Sequence, residues 1–238
     1  RAGAFGCLSL SMNRLPEGRR GGPPHNPHLG ELVRAKRQWS EPLDPVAIER
    51  GFRGWHERGY LPHRDAPGLS QFVTFSLADS FPTSARSEWA ALLRVEADSE
   101  RRRLLERYLD LGRGDCTLRR PAIGSMAEDS LRHFHGSRYE LRAWVVMPNH
   151  VHVVVSLGVV PLSDVVKGWK SYTAHRANRM LGKPGSFWHP DYWDTFARDT
   201  DHVSRLVRYI EENPLRAGLA RDPKTWPWTS ARFRDERG

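Results

Sequence analysis

The most regular stretch of the chain is YELRAWVVMPNHVHVVVSL, residues 139–157. Two apolar, β-branched runs are split by Met147-Pro148-Asn149, and Pro and Asn punctuate turns. The pattern predicts a strand over 139–146, a tight turn, and a strand over 150–157. Upstream, QFVTFSLAD (71–79) alternates, with Phe72, Thr74 and Ser76 on one side and Val73, Phe75 and Leu77 on the other, as a strand requires. Residues 87–110 carry Trp89, Leu92, Leu93, Leu104, Leu105 and Tyr108 at helical spacing, so an amphipathic helix is expected there. Its Arg101-Arg102-Arg103 run reads first as a solvated helix face. Residues 121–135 suit a second helix, with Pro121 at a tolerated first position. Residues 162–181 suit a third, closed by Gly182 and Pro184. A short strand is expected over 191–198. A helix is expected over 200–212, with Asp201 favourably placed at its positive end and Pro214 stopping it. A short helix is also expected over 46–60.

Strand, helices, strand, strand, helix, strand, helix is the order of a split strand–helix–strand repeat with a central hairpin. It predicts an α+β fold, a ferredoxin-like antiparallel sheet with helices on one face. The division expected is a poorly ordered basic extension over 1–45, rich in Gly, Pro and Arg (Arg14, Arg19, Arg20), and a single domain over 46–238 with a Pro/Trp tail. In that tail Trp226 and Trp228, set between prolines, read as a cover over the core.

Composition narrows the function classes. Lys plus Arg exceed Asp plus Glu by 37 to 28, a net charge of +9, and the pI is about 10.0. Such a surplus suits a polyanionic partner, and an Arg-rich composition alone would also produce it. Two cysteines, Cys7 and Cys116, exclude a disulfide framework and a four-cysteine zinc site. The longest apolar stretch, 143–162, is broken by Pro148, Asn149, His150 and His152, so no membrane span and no membrane partner are expected. No secretory apolar core is visible near the N-terminus, and the expected location is a reduced, cytoplasmic one.

The candidate chemistry sits on two elements. His150 and His152 flank Val151 in a strand, so both imidazoles leave the same face. Such a pair can bind one divalent metal or simply pack and hydrogen-bond. Tyr209 and Asn213 are four apart on a helix and share a face. A tyrosine beside a metal can attack phosphorus, although a core aromatic has the same spacing. Tyr172 is the rival nucleophile, on a basic helix. Lys167, Lys170, Arg176 and Arg179 recur there at helical spacing, as a phosphate-tracking stripe or a solvated face would. Trp188, Tyr192 and Trp193 offer stacking surfaces for unpaired bases, or core rings. No further carboxylates are spaced to complete a small-molecule hydrolase site with the histidines.

The block Trp144-Val145-Val146-Met147-Pro148-Asn149-His150-Val151-His152 resembles the HUH motif of single-tyrosine transposases. With GYLPHRDAPGLSQFVTFSLADSFP, SFWHPDYWDTFARD and VRYIEENPLRAGLA in the same order, residues 48–232 resemble the REP-associated tyrosine transposases. The resemblance implies that His150 and His152 are metal ligands for Mg2+ or Mn2+. Asn213 stands where related transposases often have a Gln that completes the metal site. Tyr209 is then the nucleophile, giving a 5′-phosphotyrosine and a free 3′-hydroxyl. The implied activity is that of a transposase, a nickase and strand transferase acting on single-stranded or hairpin DNA of repeated palindromes, with no obligatory protein partner. The alternative within the same fold is a DNA-hairpin-binding regulator without catalysis.

Overall fold

The computed structural model describes residues 42–57, 62–81 and 98–234, which fall in one compact unit. The basic extension expected over 1–45 falls almost entirely outside the described residues, as does the stretch 87–97 of the long amphipathic helix.

In chain order the elements are α1 Pro45–Glu49, β1 Gly54–Glu57, β2 Pro62–Asp65, β3 Ser70–Ser76, α2 Asp98–Asp110, α3 Pro121–Arg132, β4 Tyr139–Val146, β5 His150–Leu157, α4 Leu162–Leu181, β6 Trp193–Phe196, α5 Thr200–Glu211 and α6 Asn213–Arg216. The main sheet runs β4-β5-β3-β6, antiparallel throughout. The first of these strands in the chain lies beside the third, and the fourth and second form the edges. That is the ferredoxin-like order expected from the split repeat.

Register assigns the faces. Ser76, Thr74 and Phe72 lie opposite His150, His152 and Val154, so these six side chains share one face. Val73, Phe75, Val151, Val153 and Val155 take the other. The two crossover helices cover this second face. Phe75 stacks on Trp169 of α4 at 6.3 Å, and Trp144 Nε1 donates to Glu128 of α3 at 2.9 Å. Helix α5 covers the first face, where Tyr209 meets the rings of Phe72 and His152, each at 6.0 Å. Because both faces are covered, every residue of β5 is buried, which is why Val153, Val154 and Val155 run on without a polar alternation.

Two elements differ from the expectation. The helix expected over 46–60 stops after Glu49, because Gly51 (φ +92°) and Gly54 (φ +62°) adopt left-handed backbone that ends it. Residues 54–57 instead pair with 62–65 in a small antiparallel ribbon. At the other end, Pro214 does not stop the helical path. Helix α5 ends at Glu211 and Pro214 sits in the first turn of a new helix, where its missing N–H is harmless. Among the described residues, no helix is long and apolar enough to cross a membrane.

The tail closes the free edge of β4. Val146 N donates to Trp228 O at 2.9 Å, Trp144 N to Ser230 Oγ at 3.1 Å, and Trp226 Nε1 to Val146 O at 2.9 Å. Both tail tryptophans are buried, as a core cover would be. The fit of Trp228 on α3 depends on Gly124, where a Cβ would lie 2.6 Å from the indole and 2.7 Å from Leu118 O. Alanine normally favours a helix over glycine by about 1 kcal/mol. Here the clash reverses the sign, and Gly124→Ala is expected to lose about 1–3 kcal/mol. A lower urea midpoint at unchanged slope would be the measured result.

Candidate functional site

The site begins with the hydrogen bonds that orient the two histidines. Asn149 is 1% exposed, and its Nδ2 donates to Leu109 O at 3.1 Å and Arg113 O at 3.3 Å. Its Oδ1 therefore faces His150 Nδ1, 2.7 Å away, and that nitrogen must donate. His150 is held neutral, its pKa driven well below normal by burial and then by His152. Its Nε2 is therefore an acceptor. The facing Nε2 of His152, at 3.1 Å, carries the hydrogen between them. His152 Nδ1 is then left to accept from the Thr74 hydroxyl at 2.8 Å. Burial lowers the His152 pKa to about 3. Two buried neutral imidazoles thus converge through Nε2, each oriented from behind through Nδ1, as metal-binding histidines are.

Helix α5 brings Tyr209 over this pair. Asn213, 2% exposed, donates from Nδ2 to the Tyr209 hydroxyl at 3.4 Å. Its Oδ1 is buried with no hydrogen-bond partner. An amide oxygen left in that state is costly unless a cation or donor completes it.

Three charged residues at Tyr209 were not among the candidates read from the sequence. Burial raises the phenol far above its ordinary pKa, and the charge of Glu106, a hydrogen bond with Glu106 and the charge of Asp110 raise it further, against Arg216. Burial also pushes Asp110 up to about 6, again opposed by Arg216. Glu106 and Asp110 are four apart on α2, a spacing visible in the sequence. What could not be read was that this helix packs its carboxylates toward a tyrosine about a hundred residues away. Among the described residues, no three His, Cys, Asp or Glu side chains gather to hold a metal. A donor beyond the histidine pair would have to be an amide such as Asn213.

His150, His152, Tyr209 and Asn213 are thus brought together, and the other expected groups are not. Tyr172 stands on α4, across the sheet from the histidines, half-exposed and accepting from Arg176 Nη1 at 3.0 Å. Lys170 Nζ donates to His189 O and Pro190 O, both at 2.7 Å, so its charge ties down the loop before β6 instead of standing in a free stripe. Lys167, Arg176 and Arg179 are exposed on the same helix. Trp188 is a correction. It is 5% exposed, packs edge-on against Phe75 at 4.8 Å and donates to Thr173 Oγ1, so its ring is core and presents no stacking surface. Trp193 pairs with Thr74 and so lies on the histidine face, half-buried beside His189 and Phe81.

The site is thus an antiparallel split-repeat sheet with a histidine pair on one face and a helix carrying Tyr and Asn laid over it. Residues 126–213, a segment that contains all four site residues, match the family described as "Transposase IS200 like". The chain is also similar to a REP-associated tyrosine transposase of Escherichia coli (strain K12), 27% identical over 92 residues. That match spans 39% of this chain and about half, 54%, of the relative. A solved structure of a REP-associated tyrosine transposase bound to a REP hairpin aligns with 19% identity and a TM-score of 0.45, covering 75% of this chain and 82% of that one.

The neutral histidines make stability depend on pH. An unfolded histidine titrates near pH 6.5. Below that value the unfolded chain binds protons that folded His150 and His152 refuse, so their contribution is complete above about 6.5 and is lost as pH falls toward 3. The slope approaches about 1.4 kcal/mol per pH unit for each ring. Asp110, with its raised pKa, contributes in the opposite sense. The readout is therefore a difference: on going from pH 7 to pH 5, the metal-free wild type should lose more thermal stability than a His150→Gln/His152→Gln protein does.

Proposed function

We propose that this chain is a metal-dependent enzyme that nicks and transfers single-stranded DNA through a 5′-phosphotyrosine on Tyr209, acting on hairpin-forming repeated palindromes. The observation that carries the reading is the convergence of Tyr209 with two back-oriented imidazole Nε2 atoms and the unpartnered Oδ1 of Asn213. The same proposal includes the division into a basic extension over 1–45 and one catalytic domain over 46–238.

The residues present fit a divalent ion. His150 and His152 would hold it through Nε2, and Asn213 through the amide oxygen that has no other partner. Mg2+ or Mn2+ suits a site that also takes phosphate oxygens. Bound there, the ion supplies Lewis-acid polarisation of the scissile phosphate. Thr74 is suited to both states of the site. Its hydroxyl donates to His152 Nδ1 when the proton is on Nε2, and by rotating can accept when the proton moves to Nδ1.

The chain itself holds the nucleophile protonated before DNA arrives, since burial and the Glu106 carboxylate both disfavour the phenolate. In the reaction the Tyr209 Oη–phosphorus bond forms and the bond to the 3′-oxygen breaks. The phenolic proton departs and the 3′-oxygen takes one up. The phosphotyrosine keeps the bond energy, so a 3′-hydroxyl can rejoin the strand without ATP.

The test is a denaturing gel with the protein, Mn2+ and labelled single strands of palindromic DNA flanking its gene. A shifted covalent band is expected with wild type, absent with Tyr209→Phe, His150→Ala or EDTA, and still present with Tyr172→Phe. Tyr209→Phe should keep hairpin affinity within about threefold, since the hydroxyl is spent on chemistry more than on binding. A Tyr209→Phe protein that still forms the band would sink the assignment. Hairpin binding by wild type with no band would favour the non-catalytic regulator.

A further inference from the structure

The reading above leaves one cation at the site without a role. Arg216 ends α6, the helical turn that restarts after Glu212, about two turns beyond Tyr209, and its guanidinium lies over the Tyr209 ring, with Cζ 5.0 Å from the centroid. Its Nη2 pairs with Glu212 Oε2 at 2.8 Å, with the two side chains 52% and 35% exposed. A pair that open to water is screened and readily exchanged. The same guanidinium opposes the Glu106 and Asp110 carboxylates, at the phenol and at Asp110 itself.

Those carboxylates pose a physical problem for the site. A phosphodiester must approach Tyr209 where two acidic side chains already face it, and like charges repel most strongly where water is excluded. A guanidinium solves this, because its planar fork fits two phosphate oxygens as it fits a carboxylate. We propose that Arg216 exchanges Glu212 for the non-bridging oxygens of the scissile phosphate and holds them in line with Tyr209. The inference rests on Tyr209 being the nucleophile. As the Oη–phosphorus bond forms and the 3′-oxygen leaves, negative charge accumulates on those two oxygens, and Arg216 stabilises it there.

The experiment measures single-turnover adduct formation by wild type, Arg216→Ala and Arg216→Lys, with Mn2+ and the labelled hairpin strand described above. It is repeated with a neutral methylphosphonate at the scissile linkage, once the wild-type product has located that linkage. Melting curves report whether each variant is folded. Arg216→Ala is expected to slow the adduct about 100-fold, a typical cost of removing one transition-state donor. Hairpin Kd should change by less than about threefold, and Arg216→Lys should fall between the two rates, keeping the charge and losing the fork. On the methylphosphonate, which has no full charge for Arg216 to read, the gap between wild type and Arg216→Ala should close to within about threefold. A merely structural role would leave that gap unchanged, so an unchanged gap overturns the inference. Equal wild-type and Arg216→Ala rates on ordinary DNA also overturn it, with the Tyr209 reading intact. No adduct with wild type overturns the Tyr209 reading and this inference together.

Discussion

Everything at the site depends on the antiparallel register of β3 and β5. That register sets Ser76 against His150 and Thr74 against His152, and so points both imidazoles at the face where α5 lies. A slip of one residue would send both rings to the opposite face, among Trp169, Trp188 and the crossover helices. Two features prevent it. The end of β3 is tied to the turn before β5 by Leu77 N donating to Asn149 O at 2.8 Å. The Val side chains of β5 also fill the second face so completely that no polar residue of the strand could replace them there without losing its partner. The chemistry thus inherits its precision from packing on the far side of the sheet.

The second organising feature is charge. The histidines are kept neutral by burial, and the tyrosine is kept protonated by burial and by two carboxylates. Each is costly as a structural arrangement. His150 spends its lone pair on His152 and His152 its own on Thr74, Asn213 leaves an oxygen unpartnered, and Asp110 is pushed up to about 6. Groups arranged this way, with perturbed pKa values of opposite kinds on facing elements, are characteristic of functional sites. A core built only for stability would have put apolar side chains in these places.

Much of this was legible from residues alone, for identifiable reasons. Strands 139–146 and 150–157 and the helix over 162–181 were readable to the residue, because burial on both faces or along one stripe leaves a periodic apolar signal. The strand face shared by His150 and His152 followed from the two-residue period, and the shared helix face of Tyr209 and Asn213 from the four-residue spacing. What spacing could not convey was depth or long-range partnership. Trp188 and Trp193 are equally aromatic in the sequence, yet one is core and the other lies on the histidine face. Glu106 and Asp110 carry an ordinary helical spacing, and only the approach of their carboxylates to the Tyr209 phenol makes them part of the site. The ribbon over 54–65 was missed because four-residue strands carry too little pattern to outweigh a run that also suits a helix.

One short segment after Glu211 serves several purposes. Glu212 keeps helical backbone (φ −81°, ψ −8°), so Asn213 lies about one turn beyond Tyr209 and Arg216 about two turns beyond it, on the same side of the path. Pro214 is tolerated because it sits in the first turn of α6, where its missing N–H is harmless. The chain turns back only after α6, at Gly218 (φ +68°), with Leu219 N and Ala220 N both bonded to Pro214 O at 2.8 and 3.2 Å. Asn213 is buried at the junction, and Arg216, half-exposed, lays its guanidinium over the ring of Tyr209. A proline five positions after the tyrosine is thus accommodated in the first turn of α6, in a segment that sets both an amide and a guanidinium on the same phenol.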